Sequence, residues 1–206
     1  MENREHETAL SRGCGVVADD GRVHRHRRFC PIAGPTSATV AASSSAEAQP
    51  LLARYGLAGK STVEVLDQLD RLDLQQRPAG LKASVRAGEL LISDGGQEFS
   101  LPIPADRFYL SAGPYLQQTH DCFFHAPTGC KGELAGKQVQ VKILNDANGT
   151  VLVDESRTTF ANGFVGFWLP RNITGTLRIT SDGKTAESKI STGADAPTFL
   201  TTLRLV

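Results

Sequence analysis

Two of the chain's four cysteines and two of its five histidines fall between Thr119 and Cys130. The cysteines are Cys122 and Cys130, and the histidines are His120 and His125. Thiolate and imidazole are the ligands that soft and borderline metal ions prefer. The residue types of this segment therefore predict chemistry here, either by metal binding or by reactions of the thiols.

The spacing of the two cysteines leaves three uses open. Cys122 and Cys130 lie eight residues apart in a segment that contains Pro127 and Gly129, and such a loop can bring two sulfur atoms together. The pair then forms a structural disulfide, a metal site or a thiol-based redox centre. Spacing alone does not choose among these three.

The histidine between the cysteines favours a metal. His125 is three residues from Cys122 and five from Cys130, and a disulfide has no use for an imidazole. Two thiolates and an imidazole suit Cu(I), which accepts two or three soft ligands, or Zn(II), so we predict a metal site of Cys122, Cys130 and His125. Zinc is the competing ion, and its fourth ligand would come from His120, Glu133 or water. A hydrogen-bonded loop histidine is the alternative for His125, and we expect His120 to face solvent or to support a ligand.

The elements around this segment predict an α+β protein of two domains. Residues 1–45 show no apolar periodicity and are predicted to be a disordered tail or a misassigned N-terminus. A basic run, Arg22 to Arg28, lies there beside Cys14 and Cys30, without zinc-type spacing. Because no apolar run precedes the small residues near Ala42, no intact signal peptide is visible.

Residues 46–104 are predicted to form a small α+β domain, whose limited core is expected to lean on the second domain or on a twin subunit. Ser61 and Glu64 make a capping box, which predicts a helix from Thr62 to about Leu72. Its aspartates, Asp67 and Asp70 among them, are expected on a solvated face. Three short strands follow as a β-meander, separated by Gly-containing turns.

Residues 105–206 are predicted to be β-rich and to form an antiparallel β-sandwich. Six or seven short strands are separated by turn sequences such as Ser181 to Gly183, and the last is expected from Phe199 to Leu205. Trp168, the single tryptophan, is predicted to lie in the core. The chemistry-bearing segment then falls in a loop before the alternating strand at Val139 to Ile143.

Composition excludes several classes of function. Twenty-two basic and twenty-two acidic residues give no net charge, so no overall field attracts nucleic acid. We expect no nucleic-acid partner, and no segment is long and apolar enough to span a membrane. A single methionine argues against a Met-rich copper carrier and against a blue-copper centre. Phosphate-loop and Gly-x-Ser-x-Gly sequences are missing.

Many separated segments resemble one known family, the bacterial periplasmic copper-binding proteins called CueP. The resemblance extends from about Ser61 to the C-terminus and keeps the order of the segments. These are Lys82–Val85, Glu89–Asp94, Phe108–Ala112, Gln118–Cys122, His125, Cys130–Ala135, Asn162–Phe164, Trp168–Arg171 and Pro197–Thr202.

The resemblance implies a cell-envelope protein that binds copper and contributes to copper tolerance. It also implies transfer of copper to a secreted cuproenzyme or reduction of Cu(II), together with a dimerising N-terminal domain and a β-rich domain that carries the site. Within this family, Cys122 and Cys130 correspond to two of three cysteine ligands. The third cysteine is replaced by Phe199, which we expect to shield the remaining site from water.

The resulting hypothesis is a periplasmic or otherwise exported carrier of Cu(I), with a homodimer as a possible assembly. It is a metal-binding protein rather than an enzyme, although its thiols can reduce Cu(II) stoichiometrically. Two alternatives stay open. One is a disulfide-stapled β-sandwich that serves as an interaction module without metal, and the other is a thiol-based redox protein.

Overall fold

The computed structural model describes residues 45–206, which lie in one compact unit. The predicted tail, its basic run, Cys14 and Cys30 fall outside the described residues. None of the helices in the described range is long and apolar enough to cross a membrane. The α+β fold class is confirmed, because the described residues form short α-helices, a 3₁₀ turn and ten strands.

The N-terminal part combines two helices with a three-stranded sheet. Helix α1 spans Gln49–Arg54, α2 spans Thr62–Arg71, and a 3₁₀ turn covers Leu74–Gln76. The capping box is confirmed, since Ser61 accepts from the Glu64 amide and the Glu64 carboxylate accepts from the Ser61 amide at 2.8 Å. The meander is also confirmed, with antiparallel order β1-β2-β3. Its strands are β1 Leu81–Val85, β2 Glu89–Asp94 and β3 Gln97–Pro102.

Two further sheets form the β-rich part. One has the order β10-β4-β7 and the other β6-β5-β8-β9. Both contribute to a single apolar core, as a sandwich requires. The strands are β4 Arg107–Ala112, β5 Gln138–Asn145, β6 Val151–Thr158, β7 Val165–Pro170, β8 Thr174–Ser181, β9 Lys184–Ser191 and β10 Phe199–Leu200.

The last strand differs from its prediction in length and in direction. Strand β10 contains only Phe199 and Leu200, and it pairs with β4 in parallel, whereas the prediction was an antiparallel strand to Leu205. Beyond Leu200 the chain pairs again at an isolated bridge between Tyr115 and Arg204, and Val206 exchanges backbone hydrogen bonds with Thr185 at 3.1 and 3.3 Å. The short parallel pair places Phe199 beside Ser111, at the end of β4 where the cysteine-containing loop begins.

Two hydrophobic clusters correspond roughly to the two predicted domains. The first joins the helices to β1–β3 and includes Tyr109 from β4, while the second lies between the sandwich sheets and includes Ala87. Trp168 packs against the first cluster and is only partly buried, with its indole nitrogen donating to Asp67 at 3.0 Å. Each cluster contains a residue from beyond the predicted boundary at residue 104, so this domain boundary stays a prediction.

Candidate metal centre

The candidate site lies in the long connection between β4 and β5. Ligand atoms of His120, Cys122 and Cys130 all lie within 4.8 Å of one another. Both cysteines are free thiols; Cys130 is buried, whereas Cys122 and His120 are partly exposed. An open depression of about 390 Å³ borders all three residues, so the group is reachable from solvent. This combination suits an ion that enters and leaves.

His125, the histidine predicted as a ligand, is placed elsewhere. Its ring is fully buried, and its Nε2 lies 2.7 Å from Asp70 Oδ1. The structure does not bring it into the group formed by His120 and the two cysteines. As a metal ligand His125 therefore stays a prediction without support from this geometry. The hydrogen-bonded histidine, its alternative, is what the structure contains.

A buried polar network surrounds Asp70. Tyr109 donates its hydroxyl to Asp70 Oδ2, and the Asn162 amide nitrogen donates to Asp70 Oδ1 at 2.7 Å. Burial raises the pKa of the Asp70 carboxyl, but the charge of His125 and the hydrogen bonds from His125, Tyr109 and Asn162 outweigh it and hold the pKa below its usual value. The solvated face predicted for this helix is wrong at Asp70, which is fully buried.

This network anchors the cysteine-containing loop to the rest of the protein. The His125 amide donates to Thr198 Oγ1 at 3.0 Å, and the His125 carbonyl accepts from the Val85 amide at 2.8 Å. Thr198 is the residue before Phe199, and its amide donates to the Phe123 carbonyl at 3.1 Å. His125 thus fixes the middle of the loop between the two cysteines, because its backbone and side chain each have a buried partner.

Phe199 lies between the two histidines. Its ring centroid is 5.2 Å from that of His120, 5.1 Å from that of His125 and 4.8 Å from that of Phe164. Phe164, Phe199 and Cys130 form a small hydrophobic cluster against which Cys122 packs. The aromatic rings thus pack against the cysteine pair, and shielding of a metal ion by Phe199 stays a prediction.

One carboxylate joins the chain before His120 to the chain after Cys130. Glu133 Oε2 accepts from the backbone amides of residues 116, 117 and 118, at 2.8, 2.9 and 3.2 Å. These three hydrogen bonds lower the pKa of Glu133, so it remains ionised at neutral pH. Glu133 therefore holds the chain before His120 close to the chain after Cys130, independently of the two cysteine sulfurs.

Two glycines allow the loop to approach the turn before β7. Gly163 has φ +86°, and a side-chain carbon there would lie 2.7–2.9 Å from backbone atoms of Gly132. A side-chain carbon at Gly132 would lie 2.7 Å from the Phe164 ring, and the Gly132 amide donates to the Asn162 carbonyl at 2.6 Å. Only glycine permits this contact, which lies two residues after Cys130.

The thiols differ in their environment. Burial raises the pKa of Cys130 to about 11; a hydrogen bond from the Ala126 amide opposes this, proximity to Cys122 adds to it, and the positive charge of Arg77 opposes it. Cys130 is thus protonated at neutral pH until a metal displaces the proton.

His120 was predicted from the sequence to have only a supporting role. The close spacing of His120, Asp121 and Cys122, which places imidazole and thiol on one short segment, could have indicated a ligand.

His120 also has a ring nitrogen that is free to bind a ligand. Its Nε2 is buried and has no hydrogen-bond partner within residues 45–206. A buried polar atom without a partner is uncommon in folded proteins and calls for a ligand. The residues present therefore fit a soft ion held by two sulfurs and one nitrogen.

Comparison with known proteins identifies the family of this chain. The family described as "Periplasmic copper-binding protein CueP" matches residues 64–204. A solved structure described as "Crystal Structure of S.CueP" is 43% identical, with a TM-score of 0.73, and the match covers 77% of this chain and 96% of that one. No match was found among curated proteins. The chain belongs to the CueP family of periplasmic copper-binding proteins.

Proposed function

We propose that this chain binds Cu(I) through Cys122, Cys130 and His120 and carries it in the bacterial cell envelope. The observation that supports this most is the approach of two sulfurs and one imidazole nitrogen to within 4.8 Å. Membership of a periplasmic copper-binding family supports both the metal and the compartment. The imidazole of His120 takes the place of the third sulfur that the family resemblance implies at Phe199.

The donor set favours Cu(I) over harder ions. Two thiolates and an imidazole give a three-coordinate soft site, which Cu(I) accepts, whereas structural zinc sites want four ligands. Zinc remains the competing ion, with water as a fourth ligand in the open depression beside Cys122. Since both thiols must lose their protons, binding releases protons to solvent.

A carrier is a better description than an enzyme. One ligand is buried and two are partly exposed, so a bound ion is protected on one side and accessible to a recipient on the other. A secreted cuproenzyme would be such a recipient, and a homodimer through the N-terminal helices and meander is the assembly we propose. The thiols can also act once as a reductant: two Cu(II) accept one electron each while Cys122 and Cys130 lose two protons and form one disulfide.

An anaerobic Cu(I) titration of the reduced full chain against a chromophoric chelator tests the proposal. We expect one Cu(I) per chain and no competition with the chelator in Cys122→Ser. His120→Ala should weaken binding by at least the ten- to hundredfold that loss of a supporting partner costs at metal sites. The matched variant is His125→Ala, whose effect should appear in stability and much less in Cu(I) affinity.

Two results would contradict the proposal. If His125→Ala weakens Cu(I) binding and His120→Ala does not, the ligand is the histidine predicted from sequence. If wild-type protein shows no binding that depends on the cysteines and is isolated with an oxidised pair, the chain is a disulfide-stapled module that has kept the fold and lost copper.

A further inference from the structure

The segment that enters the candidate metal centre, residues 116–122, carries His120 and Cys122 but has little backbone structure of its own. Within residues 45–206 it makes no backbone–backbone hydrogen bond. The Thr119 hydroxyl donates to the Thr201 carbonyl, at the long distance of 3.3 Å. Two of the three proposed ligands therefore lie on a segment that no strand or helix holds in place.

The segment that leaves the centre after Cys130 is attached firmly to the fold. The Gly132 amide donates to the Asn162 carbonyl at 2.6 Å. Leu134 is buried in the core between the two sheets of the sandwich. Glu133 lies between these two anchored residues, so its backbone has a fixed position from which the side chain can extend.

The Glu133 carboxylate connects the leaving segment to the entering one. Its Oε2 accepts from the consecutive amides of residues 116, 117 and 118, at 2.8, 2.9 and 3.2 Å. Successive amides that point at one oxygen form an anion-binding nest, and hydrogen bonds to an ionised carboxylate are roughly twice as strong as neutral ones. One side chain thus supplies the hydrogen bonds that the entering segment does not make with other backbone groups.

Packing does not close the space between the two segments. A second open depression of about 390 Å³ borders both of them, and it is lined by Gln118, Thr119, His120, Lys131, Gly132 and Glu133. The depression leaves room for the His120 side chain to turn away from the sulfurs. The carboxylate of Glu133, rather than contact between side chains, therefore sets the separation of the two segments here.

Cys122 depends less on this carboxylate than His120 does. The Phe123 carbonyl accepts from the Thr198 amide at 3.1 Å, which fixes the chain directly after Cys122. His120 lies closer to the three amides and has no such bond beside it. Loss of the carboxylate should therefore displace the imidazole and leave the two sulfurs together, and Cu(I) accepts two soft ligands as well as three.

We propose that Glu133 is a positioning residue that holds His120 within bonding distance of a Cu(I) ion on Cys122 and Cys130, and thereby makes the site three-coordinate. The carboxylate does not touch the ion; it acts through the backbone of residues 116–118. This inference rests on the proposed function, because it needs His120 as a ligand.

The test measures the Cu(I) affinity of the reduced full chain, by competition with a chromophoric chelator, in Glu133→Ala, His120→Ala and the double variant. Glu133→Ala should weaken binding by about ten- to a hundredfold, as loss of an outer partner of a metal ligand does. The double variant should bind no more weakly than His120→Ala, because two residues that act through one ligand are not additive. Glu133→Gln keeps an oxygen acceptor without the charge and should recover part of the affinity.

X-ray absorption at the copper edge supplies a readout that a mere loss of stability does not change. The wild type should show two sulfurs and one nitrogen around Cu(I), whereas Glu133→Ala should show the two sulfurs alone. Glu64→Ala is the matched control, because the Glu64 carboxylate also accepts from a backbone amide, that of Ser61 at 2.8 Å in the capping box. It should lower stability and leave Cu(I) affinity unchanged.

Independent losses that multiply in the double variant would overturn the inference, because a carboxylate that only supports the fold adds its effect to that of any ligand. Unchanged Cu(I) affinity or an unchanged nitrogen ligand in Glu133→Ala would overturn it too. Failure of both Glu133→Ala and Glu133→Gln to fold would show that the carboxylate serves stability instead. Failure of the proposed function looks different: His120→Ala would then bind Cu(I) like the wild type, or the wild type itself would lack cysteine-dependent binding.

Discussion

His120 and His125 lie five residues apart on one loop and both pack against the Phe199 ring, yet their surroundings differ. His125 is fully buried, and its Nε2 is occupied by Asp70 within a network that includes Tyr109 and Asn162. His120 is partly exposed, and its Nε2 has no partner among the described residues. A histidine already held by a buried carboxylate contributes to stability, whereas one with an unused nitrogen beside two sulfurs is available to bind.

Removal of the Asp70 side chain should have the largest effect on stability, because Asp70 is the centre of the buried network around His125. Asp70→Ala leaves His125, Tyr109 and the Asn162 amide without their acceptor, and breaking one partner of a buried pair typically costs about 3–5 kcal/mol. We expect that loss in the free energy of unfolding, measured by urea denaturation of metal-free protein.

The matched control is Asp67→Ala on the same helix. Asp67 accepts one hydrogen bond from Trp168, so its loss should cost about 1 kcal/mol. If Asp70→Ala costs no more than Asp67→Ala, or if it removes Cu(I) binding from protein that is still folded, the separation between the two histidines is wrong.

Replacement of Phe199 should change both the stability of the fold and the affinity for Cu(I). Phe199→Cys removes a buried ring that packs against Phe164 and should lower the free energy of unfolding by about 2–4 kcal/mol. It also returns a third sulfur to the vicinity of His120, so Cu(I) affinity should rise. Phe199→Ser has the same size without a thiol and should show the stability loss alone. Equal Cu(I) affinity in the two variants would mean that position 199 does not reach the ion.

The response to pH should separate the two regions, because Cu(I) affinity and stability should change over different pH ranges. The Cys130 thiol, with its pKa raised to about 11, must lose a proton on binding, so apparent Cu(I) affinity should increase by up to about tenfold per pH unit for each proton displaced between pH 6 and 8. Asp70 has a lowered pKa, so its contribution to stability is present above its unfolded value of about 3.9 and is lost as pH falls below that.

Chelator titrations at pH 6, 7 and 8 beside urea denaturation from pH 3 to 8 check this separation. Stability should be nearly constant where affinity changes. A Cu(I) affinity independent of pH would mean that the sulfurs bind without losing protons, which contradicts thiolate ligation.

Features that depend on neighbouring residues could be predicted from the sequence. The capping box at Ser61, the meander and the approach of Cys122 to Cys130 each follow from local spacing. The burial of Asp70 could not, because its partners come from residues 39, 55 and 92 positions away in the chain. The different surroundings of His120 and His125 could not be predicted for a related reason: in an irregular loop, spacing does not determine side-chain direction.

The contact between Gly132 and Gly163 has a consequence for how this family tolerates mutation. A side chain at Gly163 would meet the backbone of Gly132, and one at Gly132 would meet the buried Phe164 ring, just after the loop leaves Cys130. A screen for growth on copper would therefore rank these two glycines with the ligands themselves, although neither has an atom that binds metal. Loss of growth in variants of these glycines would show that the backbone geometry that positions the Cys130 sulfur is required, even where the thiol itself is unchanged.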